Sequence, residues 1–413
     1  MVSIADAIEA VMTAVVPTPV EEIGIAAAGG RVLAQEVTAP LDIPPFENSQ
    51  MDGFAVRSAD LAGASPAAPI GLHVIGTAAA GRAADRAVGR GQAIRIMTGA
   101  PLPEGADAVV KVEDTRLEGP IVEIAHAPAH GEFVRPVGED LRAGETVLRP
   151  GRALRAADVG LLASMGFPAI LVRARPRVAV IATGDELVPL GGRLGPGQIY
   201  NSNAYTLAAA VREVGATPTI LGIVPDDREA MRAAFASCAG FDAILSTGGV
   251  SVGDFDFVKQ IMDELGLERR FWQVAQKPGK PLTFAARGGR LYFGLPGNPV
   301  SSLVCFALYV APALRRAMGL ESVFAPSVEV QMARGVRTAR SFTELVRCTL
   351  EWRAGSMVAT PTGTQSSGVL RSLSLADCLV ISPPGQDELA PGARPQALLL
   401  GQELTLSPTH PFA

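Results

Sequence analysis

The sequence predicts an α/β protein with a central, mostly parallel sheet domain, a helix layer on each of its faces, and two smaller mainly-β units on its flanks. Three observations carry this. From Arg177 onward, short apolar runs alternate with helix-period segments over about 140 residues, a rhythm that needs crossover helices and hence parallel strands. Both flanks break instead into short strand-forming runs punctuated by glycine and proline. The 44 glycines and 32 prolines among 413 residues exceed average usage and favour many turns over long helical rods.

Taken in order, MVSIADAIEAVMTAVV reads as an amphipathic helix carrying Asp6 and Glu9, followed by a turn to residue 26. Gln35–Val56 alternates like a strand and then becomes a proline-rich extended loop at Pro44 and Pro45. HVIG, QAIRIMTG, ADAVVKVED and GPIVEIA are short β segments, the pattern of a small β domain or barrel. Arg155–Met165 reads as a helix closed by Gly166 and followed by a strand.

The central unit starts at RVAVIATG. SNAYTLAAAVREVG is a helix capped by Asn201 or Ser202 and closed by Gly215. TPTILGIVPD is a strand, DREAMRAAFASCAG a helix, FDAILSTGG a third strand, and Phe255–Leu265 a helix. KPLTFAARGGRLYFGLPG is a pair of hairpin strands, and a long helix follows. From Pro326, VEVQMAR, ELVRCTLEW, SMVATPTG and QALLLGQE return the chain to β structure.

Composition removes several function classes. A net charge of -5 with 48% hydrophobic residues excludes a disordered or supercharged chain. No basic run or aromatic-basic ladder favours nucleic acid. Cys238, Cys305, Cys348 and Cys378 are too far apart for a paired zinc clamp, and a disulfide framework is not expected. The N-terminus lacks a basic leader, and the apolar stretch Pro299–Leu314 holds two prolines and is short for a span. A soluble, cytoplasmic protein without membrane or nucleic-acid partners is the expectation.

Ligands of open α/β sheets bind beyond the carboxyl ends of the strands. Three glycine-rich polar clusters fall there: ATGDEL, STGGVSVGDFD and GLPGNPVSS. Their free backbone N–H groups suit a phosphate or another oxyanion. None fits GxGxxG in register or GxxxxGK[ST], so a dinucleotide-binding or P-loop reading is poorly supported. Carboxylates at Asp185, Glu186, Asp254 and Asp256 stand among these glycines. An anionic ligand there calls for a divalent cation, magnesium being favoured. Asp226 and Asp227 occupy the equivalent place after another strand, either in the site or as a helix cap with an acidic first turn. Only four lysines occur, and two of them, Lys277 and Lys280, flank a Pro-Gly turn. A compact ammonium facing a small oxyanion fits that arrangement.

Nine motifs in order, PPFENSQMDGFAVRSAD, AIRIMTGAPLPEGADAVV, VGEDLRAG, RVAVIATGDELVPLG, GPGQIYNSNAYTL, STGGVSVGDFDFVK, KPGKPLTF, GLPGNPVSS and TGTQSSG, resemble the bacterial molybdopterin molybdenumtransferase family, also represented in the C-terminal part of gephyrin. The resemblance implies an elongated homodimer with a central domain of the molybdopterin-binding type. It also implies a discontinuous connecting domain. The implied division is an N-terminal helix at 1–26, a connecting domain at 27–45 and 141–175, a β-rich domain at 46–140, the α/β domain at 176–325 and a barrel-like domain at 326–413. The implied reaction inserts molybdenum from molybdate into adenylylated molybdopterin and releases AMP with a divalent cation, Mg2+ or another.

Matched motif by motif, the implied catalytic residues are Asp52, Thr98, Asp140, Asp185, Glu186, Asp226 or Asp227, and Asp256. Asp52 would reach the partner subunit's cleft. Asp52, Asp140, Glu186 and Asp256 are the implied metal ligands. Ser246, Gly248, Gly249, Ser251 and Gly253 are expected to contact the pyranopterin phosphate, with Asp254 beside them. Lys277, Lys280 and the loop Pro296, Gly297, Asn298, Pro299 and Ser301 complete the binding set. Glu47, Gln50 and Phe54 depart from the family pattern, and Arg135–Val137 lacks a basic residue often found before GED. The competing readings are a molybdopterin adenylyltransferase, with which this protein would otherwise make transient contact, and a cofactor-binding scaffold.

Overall fold

The structure is a computed structural model that describes residues 1–248, 266–353 and 355–401. Its centre is a six-stranded sheet in the order Thr217–Val224, Arg177–Thr183, Ala243–Thr247, Arg290–Leu295, Thr283–Arg287, Glu268–Phe271. The first four strands are parallel, with Val180 beside Leu245 and Leu245 beside Phe293. The hairpin return at Thr283–Arg287 is antiparallel. Buried Val178, Val180, Leu245 and Phe293 on one face and Ala179, Ile181, Ile244 and Tyr292 on the other show why these strands read as continuous apolar runs: both faces are covered.

One face packs against the helices Ile4–Ala14, Ser202–Glu213 and Pro299–Ala317, and the other against Arg228–Ser237. Ser202–Glu213 is capped by Asn201, whose side chain accepts the Ala204 N–H. Arg228–Ser237 is capped by Asp227, whose carboxylate accepts the Ala230 N–H. The helix from Pro299 runs to Ala317 through a π-helical stretch at Phe306–Val310 and lies mostly buried in the core.

The expected N-terminal unit is divided between two bodies. Ile4–Ala14 buries Ala7 and Val11 in the central core, whereas Val20–Gly24 pairs with Ala169–Arg173. The latter joins a core built from two stretches of chain: Leu33 and Val37 pack with Leu148, Leu162 and Val172. Residues between these stretches form a separate six-stranded sheet, Ala108–Lys111, Gly53–Val56, Gln92–Ile96, Ile70–Ala78, Ile121–Ile124 and Thr115–Glu118, with apolar cores on both sides. It meets the connecting core where Gly138 and Asp140 donate to the carbonyls of Pro44 and Ile43.

The last unit is a seven-stranded sheet around Thr343–Arg353. It includes a strand at Cys378–Ser382 that the sequence reading passes over, and an unexpected visitor: Gln276–Lys277 of the central unit pairs in parallel with Thr343–Glu344.

Candidate active site

Strand order reverses at Arg177–Thr183, which has Thr217–Val224 on one side and Ala243–Thr247 on the other. Beyond its carboxyl end the first and third glycine clusters meet Thr247 and Gly248, the described start of the second. Gly248 lies so close to the preceding loop that a Cβ there would stand 2.3 Å from the Thr183 carbonyl oxygen, and its φ of +90° is one that side-chain-bearing residues avoid. Thr247 Oγ1 accepts the Asn203 amide at 2.8 Å and approaches the Pro296 carbonyl at 3.4 Å. The same Asn203 amide donates to the Gly297 carbonyl at 2.6 Å. Pro299 opens the long helix at its first position, where no N–H is needed.

Carboxylates rim this junction. Asp185 Oδ1 accepts the Asp226 N–H at 3.4 Å, and the Glu186 carboxylate folds against Gly184. All three acidic side chains are exposed. Asp227, one of the two alternatives, is the helix cap. Ser246 corrects an expectation: it is buried, and its hydroxyl shares a 2.6 Å hydrogen bond with Tyr292 inside the sheet–helix layer. Strand alternation turns it away from the cleft. Gly249, Ser251, Gly253, Asp254, Asp256 and the expected helix at Phe255–Leu265 lie outside the described residues.

The lysine turn sits at the seam with the last β unit. Lys277 Nζ is 3.1 Å from Glu344, whose side chain is only 3% exposed, and Lys280 Nζ lies 5.5 Å from the centroid of the Phe342 ring. Behind the turn, Tyr309 donates to Gln276 Oε1, Gln276 Nε2 donates to the Pro278 carbonyl at 3.1 Å, and Cys305 Sγ donates to the Gly279 carbonyl at 3.5 Å. Burial pushes the Cys305 thiol up, so it stays a thiol. Arg347 is fully buried; its Nη2 donates to the carbonyls of Thr364 and Ser366 in TGTQSSG, while Nε and Nη1 have no partner among the described residues. The Ser367 carbonyl in turn accepts the Val300 N–H of the long helix. Arg347, Glu344, Gln276, Tyr309 and Asn203 escape a reading that weighs only loops, because each lies within a strand or helix.

Asp52 and Thr98 meet in the small β domain. Asp52 Oδ1 accepts the Thr98 N–H at 2.7 Å and its hydroxyl at 2.8 Å. The backbone bond, then the hydroxyl bond, then Arg95 hold the Asp52 carboxyl below the usual carboxylate range. Asp140 is exposed at the hinge, with its N–H on Ile43. Among the described residues no group of three acidic, histidine or cysteine side chains stands ready to hold a metal ion. The expected four-residue metal set is therefore not assembled from the described residues of one chain.

A doubly wound sheet with glycine-rich loops at its switch point, carried between β-rich units, defines a multidomain α/β protein. Three family models match in succession: MoeA N-terminal region (domain I and II) over residues 2–166, probable molybdopterin binding domain over 179–316, and MoeA C-terminal region (domain IV) over 329–400. The chain is 39% identical to a molybdopterin molybdenumtransferase of Nostoc sp., covering 90% of this chain and 87% of that one. It is 36% identical to the Bacillus subtilis protein of the same name, covering 90% and 88%. The crystal structure of a molybdopterin biosynthesis MoeA protein from Pyrococcus horikosii superposes with a TM-score of 0.83 at 33% identity, covering 97% of this chain and 99% of that one. The chain belongs to the MoeA family of molybdopterin molybdenumtransferases.

Proposed function

We propose that the protein is a transferase that inserts molybdenum from molybdate into adenylylated molybdopterin and releases AMP. The observation that carries this is the meeting of the ATGDEL and GLPGNPVSS loops with Thr247 and Gly248 at the switch point of the central sheet, in a chain that spans most of the length of relatives bearing that enzyme name. Backbone N–H groups of these loops bind the substrate's phosphates. The lysine turn of Lys277 and Lys280 takes molybdate, an oxyanion that needs fixed positive charge. A divalent cation, magnesium by preference, would be held by carboxylates drawn from Asp52, Asp140, Glu186 and Asp256 across the dimer, and would neutralise charge on the departing adenylate.

The working unit is a homodimer in which Asp52 completes the partner's cleft. Support comes from two apolar exposures beside the half-sites. Leu41, Phe46, Met51 and Val137 are exposed around the arm that carries Asp52, and Leu190, Leu194, Ile199, Tyr200 and Tyr205 are exposed on the segment after Glu186. The protein works in the cytoplasm, where an adenylyltransferase supplies its substrate by transient contact. The test is incubation with adenylylated molybdopterin, molybdate and Mg2+, with released AMP measured. Molybdate-dependent AMP release is expected. AMP-forming turnover that ignores molybdate, adenylylation from ATP, or binding without turnover would each refute the reading.

A further inference from the structure

We infer that Asn203 is a positioning residue for the substrate phosphates: its one side-chain amide ties the Pro296–Pro299 loop to the end of the strand Ala243–Thr247, which leads into Gly248. The inference rests on the function proposed above. Asn203 is the second residue of the helix Ser202–Glu213, and the Asn201 cap fixes that first turn. From there its Nδ2 reaches two different segments, Thr247 Oγ1 at 2.8 Å and the Gly297 carbonyl at 2.6 Å. Both hydrogens of the amide are spent. The orientation is chemically forced, because a side-chain oxygen facing the Gly297 carbonyl would set acceptor against acceptor.

The strand ladder sets Thr247 beside Leu295, and among the described residues beyond that pair the other side-chain ties are long. Thr247 Oγ1 to the Pro296 carbonyl is 3.4 Å, and Thr183 Oγ1 to the Thr247 carbonyl is 3.5 Å, both at the long limit. Yet the loops are close: a Cβ built on Gly297 would stand 3.9 Å from the Gly248 Cα. Glycine segments that pass this near and lack side chains have many accessible conformations. A phosphate cradle made of backbone N–H groups works only if those groups already point at the ligand. Asn203 supplies that preorganisation from outside the loops. It is only half buried, so removing it leaves the core intact.

Asn203→Asp puts a carboxylate against the Gly297 carbonyl, and Asn203→Ala removes both bonds with no new charge. Each is expected to raise KM for adenylylated molybdopterin roughly tenfold, with kcat within about threefold of wild type, because loosened loops weaken ground state and transition state alike. KM for molybdate, which binds at the lysine seam, stays unchanged. Asn203→Ser, which keeps one hydroxyl donor, falls between. AMP binding by calorimetry weakens in parallel and does not depend on turnover, and the melting temperature moves by no more than a few degrees. Wild-type constants in both Asn203→Asp and Asn203→Ala, or an equal rise in both KM values, would overturn the inference. The proposed function fails separately, if the wild-type enzyme releases no AMP with molybdate.

Discussion

Asp52 has two donors from one residue, and that makes its charge adjustable. Thr98→Val removes the hydroxyl bond and keeps the backbone bond. The Asp52 carboxyl is then expected to titrate closer to the ordinary range, read by NMR of that carboxyl. Because the folded value is depressed, the stability it lends is present above about pH 4 and is lost as pH falls through the lower folded value. Thr98→Val should shrink that acid-side loss; an unchanged Asp52 titration would show that the hydroxyl plays no part. The two lysines should differ in the same direct way. Lys277→Ala removes the ion pair of the buried Glu344, whose carboxylate keeps the Ala339 N–H, and with the lysine itself half exposed the cost is about 1–2 kcal/mol. Lys280→Ala, which removes only a contact with Phe342, leaves thermal stability near wild type while weakening molybdate use. Equal melting temperatures for the two variants would contradict the pairing.

At the scale of the element, the long helix does more than fill the core. Its N-terminus receives the Pro296–Pro299 loop, and its π-helical stretch carries Tyr309 onto Gln276 behind the lysine turn. Tyr309→Phe leaves Gln276 Oε1 without its donor in a buried site, at a cost of about 1–3 kcal/mol. It should raise KM for molybdate and spare KM for adenylylated molybdopterin, the reverse of the Asn203 pattern. Steady-state kinetics with each substrate varied in turn decides this, and a shared rise would mean general loosening. The turn has little slack to absorb the change, since a Cβ on Gly279 would stand 2.5 Å from Cys305 Sγ.

For the whole molecule, the proposed dimer makes a sharp prediction. If Asp52 of one subunit serves the cleft containing Glu186 of the other, inactive Asp52→Asn and Glu186→Gln proteins should complement. Each mixed dimer then holds one cleft with both changes and one with neither, so random exchange restores about a quarter of wild-type AMP release. No recovery, in a mixture shown by mass spectrometry to contain mixed dimers, would place both residues in one chain's cleft. Light scattering of the wild-type protein should give twice the chain mass.

Local chemistry settled much of this protein. The parallel strands, the helix caps at Asn201 and Asp227, the hairpin before the long helix and the glycine loops at strand ends all follow from short-range pattern, because periodicity, capping and turn geometry act within a few residues. What the tertiary structure decided are contacts between distant segments. Ser246 looked like part of a loop, but strand alternation and Tyr292 drew it into the interior. Lys277 looked like a free ammonium until the pairing of Gln276–Lys277 with Thr343–Glu344 brought a buried carboxylate to it. Asn203 looked like an ordinary residue of a first helical turn, and only the meeting of Thr247 and Gly297 across the sheet edge gives it a task. These roles depend on partners 44 or more residues away in the chain. Nothing within a local window of sequence encodes which distant segment will arrive, and that is decided when the sheet and the two β units pack.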